Sequence, residues 1–160
     1  MWAGLDGLTW AILKGRTRNR AGTVTLVSRD IRVPPRIAFR NFAEGGDADL
    51  DALIEGVEMA RALTAPLKAV NIIASEELPG DDMVGEQLRT WVKDNAWGHH
   101  ACGTAAMGTV LDGQCCVRGA PGLRVVDASI FPEIPGLFIA AAVMLAAEKV
   151  ADDILQGDLA

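Results

Sequence analysis

The run Gly136-Leu137-Phe138-Ile139-Ala140-Ala141-Ala142-Val143-Met144-Leu145 constrains this chain more than any other stretch. From Gly136 or Leu137 to about Leu155 the sequence is alanine-rich, which predicts a long helix. The first turns of that helix are apolar on nearly every side, and such a helix has to be enclosed. In a chain of 160 residues there is little protein left to enclose it. We therefore expect a long buried helix in any complete fold, with the face of Leu137 to Leu145 partly exposed when this chain stands alone. The helix start makes a second demand. Its first N–H groups lack intrahelical partners and carry partial positive charge, and no obvious Ser, Thr or Asp cap precedes them. A cofactor oxygen would satisfy these groups, and so would water or Ser129.

Half of the residues are hydrophobic and 22% are charged, which is a globular composition with chain enough for about one domain. The net charge of −6 argues against non-specific nucleic-acid binding. It conceals an asymmetry, since the first forty residues hold eight Lys/Arg against two Asp/Glu. These arginines either alternate along strands and face solvent or form a basic arm for a partner. Cys102, Cys115 and Cys116 form neither a disulfide framework nor a CxxC pair, and free thiols point to a reducing compartment. No leader pattern is expected at the N-terminus, and the apolar run from Leu137 to Ala147 is too short to span a bilayer. A soluble intracellular location with no membrane partner is the expectation.

In chain order, Met1 to Leu13 reads as strand or loop. Thr23-Val24-Thr25-Leu26-Val27 is β-branched and alternates in period two, a strand signal. Pro34-Pro35 bars a helix, and Arg36 to Phe39 reads as a second strand, giving a hairpin-like unit over about 20–40. Asp47, Asp49 and Asp51 with Glu58 nearly fit a calcium loop, but Ala52 stands where that loop needs glycine. The same aspartates suit the start of a helix carrying Leu50, Leu53, Ile54, Val57 and Ala60 on one face, ending at about Pro66. Asp81 or Asp82 is placed to cap a second helix to about Asn95, with Val84, Leu88, Trp91 and Val92 as its buried stripe. Leu123 to Asp127 reads as a short buried strand.

Between the second helix and that strand lies Trp97-Gly98-His99-His100-Ala101-Cys102-Gly103-Thr104-Ala105-Ala106-Met107-Gly108, which holds both histidines. Two adjacent histidines followed by Gly-Thr make a poor core sequence, so the residues alone leave catalysis and a satisfied structural pair both open. A zinc site from His99, His100 and Cys102 is not expected, because three near-consecutive residues do not readily surround a tetrahedral ion.

Three blocks together resemble the C-terminal portion of a glucose-methanol-choline (GMC) oxidoreductase, a family of FAD-dependent alcohol oxidases and dehydrogenases. The first block is Arg18-Asn19-Arg20-Ala21-Gly22-Thr23-Val24 with Ser28-Arg29-Asp30 and Pro34-Pro35-Arg36-Ile37. The second is His100-Ala101-Cys102-Gly103-Thr104-Ala105-Ala106-Met107-Gly108, similar to the family's His-x-x-Gly-Thr-x-x-Met-Gly. The third is Val117-Arg118-Gly119, then Gly122 to Ile130, Pro132 and Glu148-Lys149.

The resemblance implies that His100 is the catalytic base toward an alcohol hydroxyl while the substrate carbon gives a hydride to FAD. It implies that Asp127 and Ala128 touch the phosphate-ribityl region of FAD. It also implies that Phe138, Ile139 and Ala140 lie at the flavin edge, where the helix dipole stabilises the reduced flavin. The fold implied is mixed α+β: residues 1–108 supply an antiparallel piece of the substrate-domain sheet with helices. Residues 109–160 return as a strand and a long buried helix to complete an α/β FAD-binding domain.

Two departures stand beside the likeness. Eleven residues after the Asp of Val-Val-Asp the family usually has a second His or Asn, whereas here the count falls on Phe138. A mostly fungal-type subset with a His-His-Ala first motif carries similar apolar residues there, and His99 either supplies the second group or packs or faces solvent. No Gly-x-Gly-x-x-Gly dinucleotide fingerprint occurs in the chain. The resemblance is thus to the end of such an enzyme, inactive without its N-terminal FAD-binding portion. The rival expectation is a non-catalytic interaction module derived from the same fold.

Overall fold

The computed structural model describes residues 7–157, so the sequence reading of residues 1–6 lies outside the described residues. The ordered elements are β1 (Thr23–Thr25), β2 (Arg36–Ala38), α1 (Gly46–Ala69), α2 (Gly85–Asn95), a 3-10 turn at Ala128–Ile130 and α3 (Ala140–Gln156). Helices with one small antiparallel sheet make this a mixed α and β fold, as expected. The chain divides into two compact units, one holding the residues up to Lys14 with Gly45–Ala96 and the other Gly15–Glu44 with Trp97 onward.

In the first unit α1 packs on α2, with Leu50, Leu88 and Val92 as its buried apolar side chains. The aspartates at the start of α1 are matched to cations of the chain itself. Arg89 on α2 pairs with Asp47 at 2.9 Å and with Asp51, and buried Asp49 has the Lys14 ammonium at 3.5 Å. Pro66 does not end α1, contrary to the sequence reading; it lies inside the helix. Proline forfeits one intrahelical N–H bond near the C-terminus, but the helix continues one more turn. What stops it is Asn71, left-handed at φ 58°. The Ile72 N–H donates to the Leu67 carbonyl at 2.9 Å and the Asn71 N–H to that of Lys68 at 3.0 Å. This is the paired closure of a Schellman end.

The connection to α2 is tied by Arg61. Its guanidinium donates to both carboxylate oxygens of Glu76, to the Met83 carbonyl at 2.9 Å and to the Gly80 carbonyl at 3.0 Å. Neither Asp81 nor Asp82 caps α2, another correction. Asp81 instead accepts the Glu76 N–H at 3.0 Å and pairs with Lys68, and α2 begins at Gly85 after an uncapped Val84. Because Val84 precedes the helix it is exposed, and the buried stripe contracts to Leu88 and Val92 with Trp91 half-buried.

In the second unit β1 and β2 pair antiparallel with Val24 opposite Ile37, both largely exposed. The Asn19 side chain closes the base of this hairpin, donating to the Arg40 carbonyl and accepting the Glu44 N–H. The arginines before β1 lie in irregular chain, not on the strands. The core of the unit is Leu111, Cys115, Ile130 and Val150, with Met107, Val117, Phe131 and Ala146 packed around it. Residues 123–127 do not form a buried strand. They contribute an isolated bridge between Cys116 and Arg124, and Leu123 is exposed. With pairing on one side alone and no strand beyond it among the described residues, the run has no sheet to join.

Helix α3 starts at Ala140, a few residues later than the apolar run suggests, because residues 136–139 remain non-helical. In this chain it is not a buried helix. Val150 is its one fully buried residue, while Met144 and Leu145 are exposed and so are Leu137 and Phe138 before it. The exposure expected of an incomplete enclosure is present. Leu111→Ala, which empties a fully buried site, should lower unfolding free energy by about 2–5 kcal/mol in urea titrations, whereas Ile31→Ser, at 98% exposure, should leave it within about 0.5 kcal/mol.

Candidate active site

The histidine stretch has no helix or strand to hold it between Ala96 and Gly103. Its second half is fixed by backbone bonds to the 3-10 turn: the Ala105 N–H donates to the Ser129 carbonyl at 3.1 Å and the Met107 N–H to that of Ile130 at 2.9 Å. Gly103, at φ 92°, makes the turn into this latch, and a Cβ there would be strained by that backbone conformation. The far end of the stretch closes at the core, where the Gly108 N–H donates to the Leu111 carbonyl. Asp112 then accepts the N–H groups of Gln114 and Cys116, each at 2.9 Å, and shapes the turn that carries buried Cys115.

The first half is organised by rings. Trp97 stacks on His99 with centroids 4.9 Å apart, His99 meets His100 edge-on at 4.3 Å, and His100 meets Phe138 edge-on at 5.8 Å. His100 is half-buried and His99 exposed. Of the residues singled out from the sequence, His99, His100 and Phe138 therefore come together directly. Ile139 and Ala140 follow Phe138 as the N-cap and first residue of α3, and that N-cap makes no side-chain capping bond. Asp127 and Ala128 lead into Ser129 and Ile130, whose carbonyls accept the latch bonds. The Asp127 carboxylate accepts the Ser129 N–H at 2.7 Å and the Ser129 hydroxyl at 2.5 Å, so Asp127 caps the 3-10 turn, and the Ser129 hydroxyl is spent on Asp127 and is not the missing cap of α3. Trp97 is the site residue that sequence reasoning passed over. Its signal was an aromatic two positions before the first histidine.

Two thiols near the site are poorly disposed to ionise. Burial, with the Glu133 carboxylate nearby, pushes the Cys102 thiol up, and burial together with Asp112 does the same for Cys115. Glu133 also pairs with Arg20, and the segment Pro132–Pro135 lines an open cleft with Arg16 that does not include the histidines. No group of three or more His, Cys, Asp or Glu side chains is placed to hold a metal among the described residues. Nor is any described helix long and apolar enough to cross a membrane.

Most of the chain, with the histidine stretch inside it, matches a known family. The GMC oxidoreductase C-terminal family model covers residues 17–147. The chain is 37% identical over 143 residues to the oxidoreductase cicC of Emericella nidulans, spanning 84% of this chain and 23% of that protein. It is 33% identical over 153 residues to the choline oxidase of Arthrobacter globiformis, spanning 91% of this chain and 28% of that protein. A solved structure of a fungal aryl-alcohol oxidase superposes with a TM-score of 0.69 at 30% identity, covering 87% of this chain and 24% of that one. This chain belongs to the GMC oxidoreductase family, as its C-terminal region. It spans about a quarter of the length of these relatives, and members of the family are generally FAD-dependent.

Two measurements test the local electrostatics. The backbone N–H bonds from Cys116 and Gln114 hold the Asp112 carboxyl below its ordinary 3.8. A depressed carboxylate stabilises the fold fully above its unfolded value and loses that contribution as pH falls through the folded one. Asp112→Ala should therefore destabilise the chain at pH 7, with the gap to wild type closing below about pH 3.8 in acid-dependent urea midpoints. Iodoacetamide at pH 8 should modify Cys102 and Cys115 more slowly than a free cysteine, read by peptide mass.

Proposed function

We propose that this chain is the C-terminal part of an FAD-dependent alcohol oxidase or dehydrogenase in which His100 is the base. The observation that carries this reading is the contact of His100 with Phe138, one residue before the N-cap of α3. It sets an imidazole, able to accept a proton near neutral pH, beside a helix start that has no side-chain cap. The residues fit a flavin in this respect: the first N–H groups of α3 suit the electron-rich edge of such a ring. Ile139 and Ala140 would face that edge and Asp127 and Ala128 the phosphate-ribityl region. The flavin, when bound, supplies a two-electron acceptor for hydride.

The work left to this chain is proton handling and shape. His100 takes the hydroxyl proton as the alcohol carbon loses hydride, leaving a carbonyl product and a protonated imidazole. Phe138 offers an apolar edge where a hydrogen-bonding partner would otherwise stand, so of these two neighbours His100 alone can take the proton. His99, in ring contact with His100 and stacked on Trp97, is a second group that could exchange protons with it. Residues 1–108 would belong to the substrate-binding domain and 109–160 to the return into the FAD-binding domain.

The partners on this reading are an alcohol and the N-terminal FAD-binding portion, and the isolated chain is inactive. The exposed apolar side chains Leu137, Phe138, Met144 and Leu145 support the need for that portion. In the full-length enzyme, His100→Ala should retain bound flavin yet slow alcohol-driven flavin bleaching by about 10²–10⁴-fold. The chain alone, purified with excess FAD, should show no bound-flavin spectrum. Robust turnover by the chain alone would overturn the fragment reading, and an unaffected His100→Ala enzyme the base assignment.

A further inference from the structure

A base works only if its ring is held at a usable angle, and nothing regular in the backbone holds His100. Residues 96–103 lack helix and strand, and Gly98 sits between Trp97 and His99 with nothing within 4 Å of where its Cβ would be. A catalytic imidazole is commonly oriented by a carboxylate or carbonyl that accepts one ring N–H. Around His100 the ring partners are other rings: His99, with centroids 4.3 Å apart and planes at 66°, and Phe138, with centroids 5.8 Å apart and planes at 73°. His99 is in turn covered by the Trp97 indole at 4.9 Å and 29°. Offset stacked and edge-to-face pairs at such separations are the attractive geometries of aromatic rings. Trp97 and Phe138 are 79% and 76% exposed, so neither contributes much to the core. Isolated exposed aromatics are ordinary, but here the two end a continuous row of four rings that has the candidate base inside it.

We propose that Trp97 and Phe138 are positioning residues that set the orientation of the His100 imidazole, Trp97 acting through His99. The proposal rests on the reading of His100 as the base for its relevance to catalysis, but the ring row can be tested without the reaction. Trp97 gives His99 a flat surface to lie on, and His99 so placed meets the His100 ring at a steep angle. Phe138 bounds the other side. The row spans two separate stretches of chain, brought together by the latch between Ala105–Met107 and Ser129–Ile130. Truncating either end leaves His100 a wider range of ring angles, so the base spends less time aligned with a substrate hydroxyl. A loss of alignment lowers the turnover of bound substrate more than it weakens binding.

The test uses the 160-residue chain with 13C-labelled histidine rings, its two signals assigned with His100→Asn. Trp97→Ala and Phe138→Leu should each shift or broaden the His100 ring signal while the unfolding midpoint by circular dichroism stays unchanged, and Trp97→Phe should restore the wild-type signal. In the full-length flavin-loaded enzyme, Trp97→Ala should reduce the alcohol-driven flavin reduction rate by about tenfold with KM nearly unchanged, and Trp97→Phe should recover most of it. A His100 signal unmoved by both Trp97→Ala and Phe138→Leu overturns the proposal. If that signal moves while flavin reduction keeps its wild-type rate, the ring row stands and the base assignment falls, so the two failures are distinguishable.

Discussion

Two backbone hydrogen bonds, from Ala105 to Ser129 and from Met107 to Ile130, hold the candidate site together because little regular structure is available to do so. From Trp97 to Ile139 the chain is turns, isolated bridges and one 3-10 turn. Without the latch, the histidine stretch and the segment that leads into α3 would be independent loops. With it, Ile130 is drawn into the cluster of Leu111, Cys115 and Val150, and burial of those four side chains anchors both loops at once. The site is therefore positioned by a small core beneath it, while its exposed upper part is shaped by ring contacts. Core packing sets where the histidines stand, and the rings set how they are turned.

Much of this was legible from residue types and spacing, and the exceptions share a cause. The hairpin was visible because β-branched alternation and Pro34-Pro35 act locally. The family resemblance was visible because His100, Gly103 and Met107-Gly108 are fixed in number and order. Pro66 misled because a proline near the C-terminal end of a helix costs one hydrogen bond, whereas Asn71 with its paired N–H bonds supplies a definite stop. Asp81 misled because the Glu76 N–H, five residues back, and Lys68, thirteen back, claimed a side chain that local rules gave to α2. Leu123 to Asp127 misled because a strand is a property of its neighbours. Trp97 and Phe138 could be read as aromatic residues but not as a pair, since only the fold brings residues forty-one apart to either side of His100.

The exposed apolar surface follows the same division. The buried side chains form small local clusters within each unit, while Leu137, Phe138, Met144 and Leu145 stand outside them. Composition alone makes α3 an interior helix; the 160 residues present do not supply its interior. In the relatives, three quarters of the length lies outside the matched region, which is ample chain to do so.

Phe138 stands on neither a helix nor a strand but at the joint between Pro135-Gly136 and the first turn of α3. Because its ring lies outside the core, exchanging it alters what His100 meets without disturbing the helix that follows or the cluster beneath. A position of that kind is cheap for evolution to sample. A change at this joint alters the surface that His100 meets, one side chain at a time, while the scaffold that presents His100 is left untouched.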